Sequence, residues 1–428
     1  MAYFDLLPNE ILENIFQYLY FKERKRLCSV CCRWNSILFS DQYLRRHVVF
    51  HIEGSRLLDT KKPVHRVYQA LSLKIESQWN NEMMKNLRLV NTISPNLEYL
   101  RLENWGSDHQ LGSIFDSLDL AKIRQLHFTG TCDTVSGLLC VFMSNLDILK
   151  INVHHVQYFN LCAPNLVELF LYVRSEDHLD LLSQFADQLI KLTVVFDSKN
   201  GYFFFNLRFP RLSELAIDRS MKGMIKSDQD ISIAFFKRHK QLRKLHLSIK
   251  FIDSYVMQEV YENVPNLTDL KIQVSEGTIE LSSVSKLLKL EKLAVTAEKV
   301  YLLSHKFPKL KQLQLGSAET GPGTFVYGLE NLMLLDSLRT LILHNVMFYP
   351  EVLKLTPVYN VRILHINNYK RLLENHLQIL VKRFPAVYKL KISSCPGFTL
   401  HEVEKLKKMN PRMKISFDEV RFGQFLKQ

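Results

Sequence analysis

The sequence predicts an α/β solenoid: a curved parallel sheet lined inside by strands and outside by helices, about fourteen repeats long, preceded by a small three-helix module. Three observations predict it. A short apolar phrase returns at a nearly constant interval, the stretches between returns carry helical spacing, and the first fifty residues lack the phrase.

The phrase is apolar, two residues, Leu, one residue, apolar, often with proline two positions ahead. Clear copies are Pro95-Asn-Leu97-Glu-Tyr-Leu100-Arg-Leu102, Pro164-Asn-Leu166-Val-Glu-Leu169-Phe-Leu171 and Pro265-Asn-Leu267-Thr-Asp-Leu270-Lys-Ile272. Others start at Leu212, Leu310 and Val387, and weaker copies at Tyr68, Ile123, Leu146, Leu189, Leu242, Leu290, Leu338 and Val361. The steps average about 24.5 residues, inside the roughly 20–29 of leucine-rich repeats. The last two apolar residues of the phrase are two apart, so on a strand they face one way. One such strand cannot bury its row alone, and stacking the next repeat beside it makes a continuous core.

Between the phrases, Glu82–Ile93, Asp177–Phe185 and Tyr255–Val264 carry apolar spacing that predicts helices. Proline ahead of a strand suits a helix exit, because it cannot continue the helix. At the far end Leu400–Lys408 reads as a helix and Pro411–Phe417 as a closing strand, with the charged tail beyond it as a cap. Gly201-Tyr-Phe-Phe-Phe205 is expected to be a buried edge of one repeat. These readings divide the chain into a helical module over 1–50, a connecting segment over 51–66 and a solenoid with its cap over 67–428.

In the module, Pro8 suits a first helical turn, where its missing N–H costs nothing. Ile11, Leu12, Ile15, Phe16 and Leu19 follow as a broad apolar stripe. Lys22–Arg26 separates them from a second apolar set, Leu27, Val30, Trp34, Ile37 and Leu38. Fifty residues with so much apolar surface are marginal alone and need a partner or the solenoid to complete them.

Composition narrows the function classes. Apolar residues are 47% of the 428, enough for a continuous core, and 14 glycines and 13 prolines leave little room for a flexible linker. The net charge of +13 attracts anions of any class and does not choose among them. Seven cysteines without regular spacing argue against a disulfide framework. Met1–Asp5 lacks a basic start, so no signal peptide is expected, and no apolar run is long enough for a membrane span. The expected location is cytoplasmic or nuclear.

Leu7-Pro8-Asn9-Glu10-Ile11-Leu12, then Ile15-Phe16-x-Tyr18-Leu19, then Val30-Cys31-Cys32-Arg33-Trp34 resembles an F-box. Arg24 stands where that family usually has an apolar residue. Followed by these repeats, the chain is similar to the F-box and leucine-rich-repeat proteins, substrate receptors of SCF-type cullin–RING ubiquitin ligases. The resemblance implies that Leu7, Pro8, Ile11, Ile15, Leu19 and Trp34 bind a Skp-type adaptor or support that surface, and that cullin and RING subunits join through it. It implies a non-catalytic subunit that captures a protein target. The alternatives are an F-box scaffold acting outside a cullin ligase, or a basic repeat protein binding nucleic acid.

Candidates for chemistry fall away. Cys28-x-x-Cys31 has no second pair at zinc spacing, and His154-His155 and His47/His51 have no nearby ligand set. Gly321-Pro322-Gly323 lacks the Lys-Ser/Thr that would cradle phosphate, His401-Glu402 lacks the second histidine of a zinc protease, and no nucleophile elbow occurs. No cofactor or metal is expected. For target capture, the outward positions of the strands supply Tyr99, Arg101, Phe170, Tyr172, Lys244, His246, Lys271 and Lys292. These residues predict a groove for an acidic or phosphorylated protein segment, with Phe170 and Tyr172 as aromatic anchors.

Overall fold

The structure is a computed structural model describing residues 7–19, 21–40, 49–53, 68–75, 90, 94–104, 111–130, 139–154, 156, 159–196, 199–219, 226–249, 254–281, 287–302, 307–316, 323–347, 357–369, 374–396 and 398–418. It divides into two compact units, Met1–Leu189 and Ile190–Gln428. The helix expected over Glu82–Ile93 lies almost wholly outside the described residues, as do the tail beyond 418 and His47, His155 and Cys132.

The first unit opens with three helices, α1 (Asn9–Gln17), α2 (Phe21–Leu27) and α3 (Cys32–Ser40). Leu12, Phe16, Cys28, Ile37 and Leu38 form their common core. Tyr68, the first residue of the first phrase, packs against that core. The module and the first repeat therefore share apolar contacts, as the excess of apolar residues in a fifty-residue module requires.

The sheet of this unit runs in chain order: Val49–Glu53, Ala70–Ile75, Tyr99–Asn104, Gln125–Gly130, Ile148–Val153 and Glu168–Val173. Every pair is parallel, and equivalent phrase positions lie side by side: Ala70 against Tyr99, Tyr99 against Gln125, Gln125 against Ile148, Ile148 against Glu168. Val49–Glu53 carries no copy of the phrase, yet it pairs with Ala70–Ile75 as a strand ahead of the first copy. Ile52 is its buried apolar residue, at the register of Leu73 in the next strand.

The second unit continues the pattern with ten strands: Lys191–Phe196, Glu214–Arg219, Lys244–Ile249, Asp269–Val274, Lys292–Thr296, Gln312–Gly316, Thr340–His344, Ile363–Asn367, Lys389–Ser393 and Lys414–Asp418. From Leu97 to Val387 the first apolar residue of each phrase is buried, as are both later apolar residues. Outward and inward residues alternate along the strands. Burying one such leucine contributes roughly 1.5–3 kcal/mol.

Two kinds of hydrogen bond recur between successive repeats. The carbonyl after the first apolar residue accepts two N–H groups from the next repeat: Glu98 takes Arg124 and Gln125 at 2.8 and 3.0 Å, and Thr268 takes Glu291 and Lys292 at 2.9 and 3.0 Å. The side chain just before that apolar residue reaches back to the turn of the preceding repeat. Asn145 donates to Ala121 O at 2.6 Å, Asn165 to Ser144 O at 2.7 Å, Gln188 to Ala163 O at 2.8 Å, Asn266 to Lys240 O at 3.0 Å and Asn360 to Leu335 O at 2.6 Å. Asn165 and Asn266 of the Pro-Asn-Leu copies thus satisfy turn carbonyls that strand pairing leaves open.

The return segments differ in kind along the array. Asp177–Phe185, Lys226–Arg238, Ser254–Asn263, Glu374–Arg383 and Leu400–Met409 are α-helices. A capping box of Thr399 and Glu402 starts the last of them. Elsewhere the return is a short strand: Leu139–Phe142 pairs with Phe159–Cys162 in the first unit. In the second, Thr278–Glu280, Lys299–Tyr301, Thr324–Tyr327 and Val346–Met347 form another outer sheet. The steps from Leu146 to Leu166 and from Leu290 to Leu310 are 20 residues, the shortest in the array, and leave too little chain for a helix. An all-helical outer layer, expected from the sequence, is replaced there by extended backbone.

Lys199–Asn206 is a 3₁₀ helix that puts Phe204 and Phe205 among Phe209 and Phe235, with ring centroids 5.2–5.7 Å apart. Phe204 and Phe205 of the aromatic run are core, while Phe203 is 37% exposed. Gly316 ends its strand at φ +81°, and a Cβ there would lie 1.9 Å from the His344 carbonyl oxygen, so no other residue fits.

Candidate functional site

Helix α1 separates its apolar residues into two faces. Leu12 and Phe16 point into the module, while Ile11, Ile15 and Tyr18 point out, Ile11 at 44% and Tyr18 at 88% exposure. Pro8 sits just ahead of the first helical residue and its carbonyl accepts the N–H groups of Ile11 and Leu12, both at 3.2 Å. Exposed Pro8, Ile11, Ile15 and Tyr18 therefore form one stripe, three or four residues apart. Val30, 49% exposed, is a further apolar residue turned outward in this module. Leu7 and Leu19 are half-buried against the core.

Trp34 stands behind this stripe rather than in it. Its ring packs edge-on against Phe16 with centroids 5.4 Å apart. Arg33 donates to Asn9 Oδ1 at 3.0 Å and to the Leu7 carbonyl, which fixes the start of α1 against α3. Arg24, at the position where the F-box family usually has an apolar residue, is only 8% exposed and donates from Nε to the Leu19 carbonyl at 3.1 Å. Its aliphatic stem fills the apolar place while the guanidinium closes the end of α1. Cys31 Sγ accepts the Trp34 N–H at 3.4 Å at the start of α3, and Cys28 lies in the core. The Cys-x-x-Cys is thus used in folding the module. Among the described residues no three His, Cys, Asp or Glu side chains come together as a metal cluster would.

On the open face of the first unit's sheet, Tyr99 and Arg101 lie beside Gln125 and His127 of the next strand. The Tyr99 hydroxyl and His127 Nδ1 are 2.9 Å apart, and the rings meet edge to face. Burial, with Lys150 and Arg101 adding, pushes His127 down to about 4, so it is neutral near pH 7. Arg101 pairs with Glu103 on its own strand. Further along, Phe170 and Tyr172 touch at 5.3 Å, and the Arg174 guanidinium lies 5.7 Å from the Tyr172 ring.

The second unit's open face reads differently once register is known. Its first outward column runs Lys191, Glu214, Lys244, Asp269, Lys292, each beside the next. Signs alternate at every step. Lys244 Nζ is 2.6 Å from Glu214 Oε1, which raises the lysine's pKa. Lys244 and Lys292 therefore belong to a self-compensated ladder. The middle column places His246 beside Lys271 and Ala216. Small Ala216 leaves a depression of about 210 Å³ between Lys191, Lys244 and His246. His246 is held near 4 by burial, with Lys271 adding and Asp218 opposing.

Two other histidines are structural. His178 is fully buried between the Ser175 hydroxyl at 2.8 Å and the Val153 carbonyl at 3.1 Å. His239 Nε2 accepts the Phe209 N–H at 2.9 Å while Nδ1 faces the Phe235 carbonyl at 2.7 Å, which fixes one neutral tautomer. No helix among the described residues is long and apolar enough to cross a membrane.

This architecture is a small three-helix module followed by a leucine-rich-repeat solenoid. A family model described as F-box-like matches residues 4–51, so the N-terminal module is F-box-like. No curated protein matches the chain in sequence. Among solved structures the chain is similar to TLR13 in its complex with ssRNA13, at 14% identity and a TM-score of 0.41, covering 81% of this chain and 62% of that one. It thus spans less than two thirds of that protein's length. It is similar to the yeast Rad7 and Elc1 complex at 14% identity and TM-score 0.42, covering 95% and 92%. A leucine-rich-repeat protein of Leptospira interrogans aligns at 15% identity and TM-score 0.30, covering 82% and 95%.

Proposed function

We propose that this chain is the substrate-recognition subunit of an SCF-type ubiquitin ligase. The observation that carries the reading is the outward stripe of Pro8, Ile11, Ile15 and Tyr18 on a module that an F-box-like model matches. A helix that keeps one apolar face for its own core and leaves the other in water is built to lie in a partner's groove. Leu7, Leu19 and Trp34 support that face from behind. The partner is a Skp-type adaptor, and cullin and RING subunits follow through it.

The solenoid holds a protein target. Its open face is a broad surface of solvated side chains over a rigid sheet, on which Tyr99, Arg101, Phe170 and Tyr172 offer aromatic and cationic contacts in the first unit. His246 and Lys271 offer polar contacts around the Ala216 depression in the second. The chain performs no chemistry of its own in this reading. It raises the effective concentration of target lysines near the ubiquitin-charged enzyme.

Co-purification with a Skp-type adaptor and a cullin tests it, comparing the intact chain with a Leu7→Ala, Pro8→Ala, Ile11→Ala triple variant. The expected result is both partners with the intact chain and neither with the variant. Adaptor without cullin would replace the ligase receptor by a scaffold, and loss of both from a folded intact chain would overturn the reading.

A further inference from the structure

The alternating ladder of the second unit stops at Lys292. The next first-column positions, Gln312, Thr340 and Ile363, are uncharged, and then two lysines stand side by side, Lys389 beside Lys414. Two residues along from Lys389 is Lys391, and Arg362 precedes the neighbouring strand. Arg362, Lys389 and Lys414 are exposed, and none has an ion-pair partner among the described residues. Among the described residues the cluster's ion pair is Lys391 with Asp418, at 3.7 Å. Like charges facing one another on adjacent strands destabilise a sheet, and on this face the fold avoids that arrangement from Lys191 to Lys292. The positive field is felt nearby: burial lowers the pKa of His365, and Lys391 and Lys389 lower it further.

We propose that Arg362, Lys389, Lys391 and Lys414 form the anion subsite of target capture and take a carboxylate-rich peptide segment. The inference rests on the reading of the solenoid as a target-holding surface and moves its charged contact from the ladder to the last repeats. Spacing selects the ligand. Adjacent strands put Lys389 and Lys414 about 4.8 Å apart, and alternate residues put Lys389 and Lys391 about 7 Å apart. Separate ammonium groups at those distances match separate Asp and Glu side chains of an extended segment. One compact phosphoryl group is better met by a convergent, bidentate arginine fork. The cluster spans only two or three strands, too short to follow a nucleic-acid backbone, and Tyr388 at its rim, 49% exposed, offers one apolar contact.

The test uses the full chain in complex with a Skp-type adaptor and four fluorescent probes. These are a decapeptide of alternating Glu and Ser, its Gln–Ser counterpart, the Gln–Ser peptide with one central phosphoserine, and a ten-nucleotide oligo(dT). Three exposed ion pairs of ordinary strength should favour the Glu peptide over the Gln peptide by about tenfold at low salt. Lys389→Glu should abolish that preference, while a Lys244→Gln, Lys292→Gln variant should keep it. Lys389→Glu sets a carboxylate beside Lys414 in place of a repulsion, so its melting temperature should hold or rise, which separates lost binding from lost folding. Equal binding of the Glu and Gln peptides, preference for the phosphopeptide or oligo(dT), or a preference unaffected by Lys389→Glu would each overturn the proposal. Glu-peptide preference in a chain that fails to hold the adaptor would keep the subsite and remove the ligase reading. Adaptor and cullin bound by a chain blind to the Glu peptide would do the reverse.

Discussion

Ile11 and Leu12 lie one peptide bond apart on α1, yet Ile11 is 44% exposed and Leu12 is fully buried. Ile11→Asp should therefore leave stability within about 0.5 kcal/mol while abolishing adaptor capture. Leu12→Ala should cost roughly 2–5 kcal/mol by opening a cavity in the module. Urea unfolding beside a pull-down separates the two, and equal loss of stability would deny that the stripe is free for a partner. A pH effect also belongs to this scale. His127 and His246 are held near 4 in the fold, against about 6.5 when unfolded. As pH falls below 6.5 the unfolded chain takes up protons that the folded chain refuses, so stability drops across the window from 6.5 to 4. The melting temperature should fall between pH 7 and 5, before ordinary carboxylates titrate, and less so in a His127→Asn, His246→Asn variant. A flat profile would contradict the burial of these rings.

Three consecutive strands of the second unit end in a left-handed residue: Asn345 at φ 48°, Asn368 at 54° and Ser394 at 55°. Asparagine tolerates that conformation and serine less so. Ser394→Gly should stabilise the chain by about 0.4–1 kcal/mol, read from the denaturant midpoint, and a destabilised variant would mean the serine side chain holds the turn. Much of this element-level order was legible in the sequence, because the phrase itself fixes both the strand and its buried face. The helices expected over Asp177–Phe185 and Tyr255–Val264 were legible from helical apolar spacing, and the second is observed as Ser254–Asn263. The outer strands were not, since three or four residues carry no usable period, and Val49–Glu53 was not, since it lacks the phrase. The outward stripe was half legible: Ile11 and Ile15 fall in the apolar pattern, but which apolar residues face out depends on packing. Tyr18 could have been found from its spacing to Ile11 and Ile15. The charge ladder needed register, because Lys244 and Glu214 are 30 residues apart in sequence and 2.6 Å apart in the fold.

At the scale of the whole molecule, the module is also the first repeat's apolar cover. Tyr68 packs on the module core and lies 4.9 Å from the Phe50 ring. A chain beginning at Val49 would bare that apolar contact next to Val49–Glu53, which is already the edge strand of the sheet and a template for pairing with other chains. Such a truncation should melt lower and self-associate, as light scattering would show. A monomer of unchanged melting temperature would make the module a pendant rather than a cap.

The backward bonds from Asn145, Asn165, Gln188, Asn266 and Asn360 have a mechanical consequence. Repeats are fastened to their immediate neighbours by similar bonds, so tension applied to the ends should meet many similar fasteners in series rather than one large barrier. Stretched in an optical trap, the chain should lengthen in a staircase of small steps, each releasing about one repeat or roughly 80 Å of contour. A solenoid made this way would yield locally to a pull at one end and could re-zip when the pull ceased.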